Sequence, residues 1–262
     1  DRPVVYGIGP AEGDIRIAVI GDFPDAAAEN SQTPFVSDIG RWLWWGLSSA
    51  GLSPTGMYLD NVVDRYPKDG PKSAEAKDAI EAQKESFQEV LRYIAERGVK
   101  VVLALGESSK EAFGIGGSLS SVRGSVYEYN LDWQGVVVDP RAEACHFVVI
   151  PTHHPAHFMR GRWSSTSNVR ADNALVWIED FAKAKDIADH GYQRPVENFV
   201  INPTVDQVAD FVADILANDR LVALDIETAG FKPGADNIVC IGMATDGETG
   251  LCIPRYKTGP GV

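Results

Sequence analysis

Residues 15–25 read IRIAVIGDFPD. The first six are mostly apolar and rich in β-branched side chains, and Gly21-Asp22-Phe23-Pro24-Asp25 cuts the run. A short apolar stretch bounded by Gly and Pro reads as a buried strand followed by a loop. Working outward, the signal recurs in MYLDNVV (57–63), VKVVLAL (99–105) and HFVVIP (146–151). Helical patterns separate these runs. DIGRWLWWGLSS (38–49) has Ser37 or Asp38 as its N-cap and Gly51 past its end. Residues 73–97 read as one helix, charged throughout, with Ala79, Ile80, Val90, Leu91 and Ile94 toward a core and Gly98 as the stop. Residues 171–189 turn Leu175, Ile178 and Phe181 inward, while 125–129 and 135–138 are expected to pair as a hairpin. Strands alternating with helices predict an α/β three-layer sandwich around a mainly parallel central sheet. Sites in such sheets lie at the carboxyl ends of the strands. The loops at 21–35, 61–67, 106–109 and 152–162 are therefore expected to converge on one edge.

Composition narrows the class. A chain of 262 residues suits one large domain or two. With 44% hydrophobic and 23% charged residues, disordered, collagenous and disulfide-scaffold classes are excluded. No apolar run approaches the ~20 residues of a membrane helix. The formal charge of −13 excludes a globally basic DNA coat but leaves room for a local basic groove. The three cysteines, Cys145, Cys240 and Cys252, are odd in number and form no CxxC pair. That argues against a disulfide framework, a zinc ribbon or a cysteine-held iron–sulfur cluster, and for a reducing, cytoplasmic setting. The N-terminus lacks a signal-peptide layout, and the final TGPGV reads as a loop cut open, as in a fragment.

Residues 1–190 are expected to form one domain. Residues 191–198, polar with Gly191 and Pro195, read as a linker, and 199–262 as a second unit. That unit should hold a helix at 204–217 and strands at 221–226, 238–245 and 250–254, with a turn at Asp246-Gly247.

Candidate chemistry gathers in the loops of the first domain: Asp22, Asp25 and Phe35, then Asn61, then His153, His154, Pro155, Arg160 and Arg162. Residues 144–171 contain no acid, but three arginines, four histidines and Trp163, which makes this window the natural landing place for a phosphate backbone. His153 and His157 are read as structural or surface residues, and Trp42, Trp44 and Trp45 as core packing.

In order and spacing, over roughly residues 3–185, these motifs resemble the uracil-DNA glycosylase superfamily, closest to its family 4. The resemblance rests on Gly21-Asp22-Phe23-Pro24-Asp25, Pro34-Phe35-Val36-Ser37, Asn61-Val62-Val63, Ala104-Leu105-Gly106, Arg123-Gly124 and residues 152–160, THHPAHFMR. It implies a glycosylase-like DNA-binding domain that flips a base into a pocket. Phe35 would stack on uracil and Asn61 would read its edge. His154 would stabilise charge on the leaving base, and Asp22 would serve as the catalytic carboxylate. Arg123, Arg160 and Arg162 would hold DNA. Three positions depart from the family pattern. Phe23 is bulky where the family has a small residue or a carboxylate. Asp25 replaces Gly or Tyr, where an exposed acid would repel phosphate. Arg65 stands near where a cluster cysteine would follow Asn61-Val62-Val63, so no iron–sulfur cluster is expected in this domain.

Residues 221–230, LVALDIETAG, with 236–244 and 251–254, resemble the opening of DEDD-type 3′–5′ exonucleases, a ribonuclease H-like fold found ahead of the polymerase in family A DNA polymerases. Asp225 and Glu227, two apart on a strand, share a face and would bind a divalent metal, Mg2+ or Mn2+. Two further family aspartates come from later motifs that 221–262 does not contain. The implied whole is the N-terminal part of a bacteriophage-type replicative polymerase, with DNA and other replication proteins as partners. Two alternatives stand beside it: an inactive glycosylase-shaped module for DNA binding or replisome docking, and a structural replisome part that contacts protein.

Overall fold

In the computed structural model, residues 3–53, 55–70, 73–130, 147–160, 169–196, 198–230 and 237–255 are described. The opening apolar run becomes β1 (Ile17–Gly21). Then come α1 (Ala26–Ser31), α2 (Asp38–Ser49), β2 (Met57–Asn61), α3 (Ala74–Ala82), α4 (Lys84–Glu96) and β3 (Val101–Leu105). The first unit continues with α5 (Glu107–Ala112), α6 (Leu119–Val122), β4 (Tyr127–Tyr129), β5 (Phe147–Thr152), α7 (Ala156–Arg160) and α8 (Val169–His190).

These strands form one sheet in the order β2-β1-β3-β5-β4, parallel except for the antiparallel edge strand β4. Alternation along the strands feeds two cores. Ala18, Ile20, Val102 and Ala104 face Phe87, Leu91 and Ile94 of α4 and Phe113 beyond α5. Ile17, Val19, Val101 and Leu103 face Leu43 and Leu47 of α2 and Trp177 and Phe181 of α8. Burial on both faces explains why the strands read as unbroken apolar runs. β1 has β2 on one side and β3 on the other, so the strand order reverses at its carboxyl end and a crevice opens there.

Several expectations change. The single helix at 73–97 is two helices, because Gln83 leaves helical geometry and turns its side chain to the Asp64 backbone N–H (2.9 Å) and the Asp64 carboxylate. The stretch after Asp25 is a helix, since Asp25 caps it by accepting from Ala28 N–H at 2.9 Å. β2 stops at Asn61 rather than Val63. β4 pairs antiparallel with β5, and the hairpin partner expected at 135–138 lies outside the described residues. Trp45 is exposed and meets Trp42 edge-on, so the three tryptophans are not all core.

The chain divides into two compact units, Asp1–Tyr192 and Gln193–Val262. The second contains β6 (Asn198–Ile201), α9 (Val205–Asn218), β7 (Ala223–Thr228), β8 (Ile238–Ala244) and β9 (Thr249–Pro254). Thr204 and Gln207 close a reciprocal capping box at the start of α9. The strand order is β6-β9-β8-β7, with β7, β8 and β9 antiparallel and β6 parallel to β9. β6 begins within the stretch read as a linker. No helix among the described residues is long and apolar enough to cross a membrane.

Candidate active site

The four parallel strands of the first unit end level with one another. Asn61, Gly21, Leu105 and Thr152 are successive register partners. At ~4.8 Å per strand this edge spans ~14 Å, and the chemistry candidates lie along it.

Phe35 and Asn61 meet over Gly21. An added Cβ at Gly21 would lie 2.5 Å from Asn61 Oδ1 and 2.8 Å from Phe35 Cζ. The phenyl ring and the amide therefore close over the end of β1, leaving no room there for even a methyl. Both side chains are buried, each 6% exposed. Phe35 has φ +56°, a strained value for a non-glycine residue. Its carbonyl is pressed onto Gly40 in the first turn of α2, where any Cβ would overlap it. Ser37 caps that helix by accepting from Ile39 N–H at 3.1 Å and donates to the Asp25 carboxylate. Asn61 Oδ1 is buried and has no hydrogen-bond partner among the described residues.

His154 follows β5 by two residues. Its Nδ1 accepts from Ala156 N–H at 3.3 Å, so the neutral ring carries its hydrogen on Nε2. Pro155 precedes α7, where a missing N–H costs no bond. His153 stacks on His157, with centroids 4.4 Å apart, and burial lowers its pKa to about 4, so it is neutral near pH 7.

Asp22 follows Gly21 at the end of β1. Its carboxylate accepts from Ser109 N–H (2.7 Å) and from the Ser108 backbone, at the start of α5. Gly106, at φ +106°, leaves room for it, since a Cβ there would overlap the carboxylate. Phe23 turns into the α4-side core instead of crowding Phe35. Asp25, an acid that would repel phosphate if exposed, is half-buried and bonded to α1 and Ser37. Arg123 is bound to Asp180 at 2.8 Å and to Val176 O at 3.2 Å, fastening α8 to the sheet edge. Arg160 ends α7. Its side chain, and Arg162 altogether, lie outside the described residues.

A profile of the uracil DNA glycosylase superfamily matches residues 7–175. The chain belongs to this superfamily. It is also similar to the type-4 uracil-DNA glycosylase of Thermotoga maritima, with 27% identity over 180 residues, covering 68% of this chain and 80% of that protein. The second unit lies outside the matched span.

Family 4 resemblance raises the matter of an iron–sulfur cluster, which needs four thiolate ligands or their equivalent. Of the three cysteines, Cys240 and Cys252 stand on β8 and β9 in the second unit. Cys145 alone belongs to the first unit, so the residues there do not fit such a cluster. The segment after Asn61-Val62-Val63 is held by hydrogen bonds: Val5 N–H donates to Asp64 O (2.9 Å), and Asp64 N–H to Gln83 Oε1.

Sequence reasoning missed Gly40 and Ser109 as parts of this superfamily site. A glycine inside the first turn of a helix was the available signal for Gly40. Nothing in the sequence alone marked Ser109.

Burial lifts the Asp22 pKa from 3.8 to about 7. The folded state binds this proton more tightly than the unfolded chain, so the stabilisation is full below about 3.8 and is lost as pH rises through about 7. Asp60 shifts the same way, to about 6. The useful readout is therefore the stability of wild type minus that of Asp22→Asn. Urea unfolding at about pH 5 and about pH 8 is expected to show this difference falling toward high pH. A flat difference would mean that Asp22 ionises normally.

Proposed function

We propose that the first unit removes uracil from DNA by flipping the base onto the strand-end edge beside Phe35 and Asn61. The observation that carries this reading is the buried Asn61 Oδ1, lacking a partner beside the Phe35 ring. A uracil imide N–H supplies the missing donor, and the Asn61 amide N–H2 donates to the neighbouring carbonyl. A base lacking that imide hydrogen leaves the acceptor unmet, which is the basis of selectivity. Phe35 offers its face for stacking. As the C1′–N1 bond breaks, its electron pair goes to the base, and the negative charge spreads onto the carbonyl oxygens. A donor already aimed there lowers the barrier most, and His154 Nε2–H is assigned this role. Water adds to C1′ of the sugar and loses a proton. Asp22 is assigned to holding the loop on α5 rather than to activating that water. Arg160 and Arg162 are assigned to the DNA backbone.

The test is an oligonucleotide carrying one deoxyuridine, incubated with the full chain without added metal and then treated with alkali. Strand scission at that site is expected. DNA binding without scission supports the inactive-module reading instead.

For the second unit, the proposed role is that of an exonuclease-type metal face, as in the polymerase-linked arrangement of its resemblance. It is favoured by Asp225 and Glu227 alternating onto one side of β7, with Asp225 opposite Gly242 of β8. No third His, Cys, Asp or Glu joins them in a metal-holding group among the described residues. Weak Mn2+ binding, abolished in Asp225→Ala, is expected by calorimetry. Binding unchanged in that variant would remove the assignment.

A further inference from the structure

We infer that Asp60 is a positioning residue that fixes Asn61 in the pocket by accepting the Asn61 backbone N–H. The inference rests on the glycosylase reading above and deepens it.

β2 is an edge strand, with β1 on one side only. Val62 N–H points to β1, donating to Gly21 O at 2.9 Å. By alternation, the N–H groups of Leu59 and Asn61 point to the open edge. Leu59 is met there by the segment around Ile8, through a two-bond bridge of 2.8 Å each way. That segment makes no such bond to Asn61. The Asn61 N–H is met by Asp60 Oδ1, at 2.8 Å.

The carboxylate is itself held. Its Oδ2 accepts from Tyr58 Oη at 2.7 Å, and Gly7 packs so closely on this pair that a Cβ would overlap Tyr58 Oη. A cavity of about 630 Å³ lies along this edge, lined in part by Tyr6, Tyr58, Asp60, Asn61 and Asp64. Without Asp60 the Asn61 N–H faces that cavity, and the last residue of an edge strand loses its outer restraint. The side chain of Asn61 emerges on the opposite face of β2, beside Phe35, so any loosening of its backbone displaces the amide that reads the base. Displacements near 1 Å at a reacting site cost about a hundredfold in rate at the upper end.

The prediction separates hydrogen bonding from charge. Asp60→Asn keeps a carbonyl oxygen at the same length, so uracil release should stay within about threefold of wild type. Asp60→Glu keeps the charge but adds a methylene that carries the oxygen past its own neighbouring amide. Asp60→Ala removes the acceptor. Both should lower kcat/KM about tenfold. In an Asn61→Ala background the Asp60→Ala change should cost nothing further, because nothing remains to be positioned. Thermal melting of each variant separates this from unfolding, and if Asp60→Ala does not fold, the Asn and Glu contrast carries the test. Equal losses in Asp60→Asn and Asp60→Glu, or an equal penalty for Asp60→Ala in both backgrounds, overturn the assignment. A wild type that releases no uracil overturns the glycosylase reading and takes this assignment with it. An active wild type with an equally active Asp60→Ala overturns this assignment alone.

Discussion

Uracil release by His154→Ala should be slower than wild type by about 10²–10³-fold, the loss that follows removal of one donor aimed at a developing oxyanion. The expectation depends on the tautomer. With Nδ1 engaged by Ala156 N–H, the neutral ring presents Nε2–H as a donor without first taking a proton. The loss should therefore fall on the chemical step, and affinity for deoxyuridine DNA should hardly move. Asn61→Ala should behave differently. Two hydrogen bonds of about 1–2 kcal/mol each act in the ground state as well as the transition state, so binding of the flipped base and kcat/KM should both fall, by about a hundredfold in the latter. Single-turnover rates with saturating enzyme, set beside binding to an uncleavable analogue, separate the two patterns. Full activity in His154→Ala would exclude the imidazole as the leaving-group donor.

The fold was legible because burial on both sheet faces turns β1, β2, β3 and β5 into continuous apolar runs, and glycines or prolines close them. What stayed hidden follows from side chains acting at a distance in sequence. Gln83 interrupts an evenly charged helical stretch by reaching Asp64, 19 positions earlier, and nothing local announces this. Whether Asp25 was exposed could not be read, because its partners, Ala28 N–H and Ser37, become visible only when the loop closes. The ion pair of Arg123 stayed hidden for the same reason, its partner Asp180 lying 57 residues on. β6 went unread, with only Asn198 inside the linker stretch, because four residues carry too little pattern for a strand. The candidate positions were legible as places in the fold, since Asn61 ends β2 and Phe35 and His154 lie on loops near the strand ends. Their supports were not, because Gly40, Gly106 and Asp60 act through backbone atoms that no side-chain pattern reveals.

Gly21→Ala should be the most informative single methyl in the protein. Gly21 lies in β1 and its φ is not positive, so alanine meets no backbone penalty there. The penalty is steric and local: the methyl would stand 2.5 Å from Asn61 Oδ1 and 2.8 Å from Phe35 Cζ. Neither neighbour yields readily. Phe35 is pinned by its left-handed backbone and by its carbonyl against Gly40, and Asn61 by its register with Gly21 itself. Overpacking of this kind costs about 1–3 kcal/mol, which lowers the melting temperature without unfolding the chain. The functional cost should be far larger. The methyl would force the ring or the amide out of the position from which it is assigned to hold the flipped base, so kcat/KM for uracil release should drop by at least about a hundredfold. Binding to undamaged DNA should be nearly unchanged, because the backbone contacts assigned to Arg160 and Arg162 lie elsewhere in the sequence. Activity within a few-fold of wild type would mean that the placement of Phe35 and Asn61 does not govern the fit of the base. The nucleobase reading of this edge would then fail at its narrowest point, whatever the fate of the His154 variant.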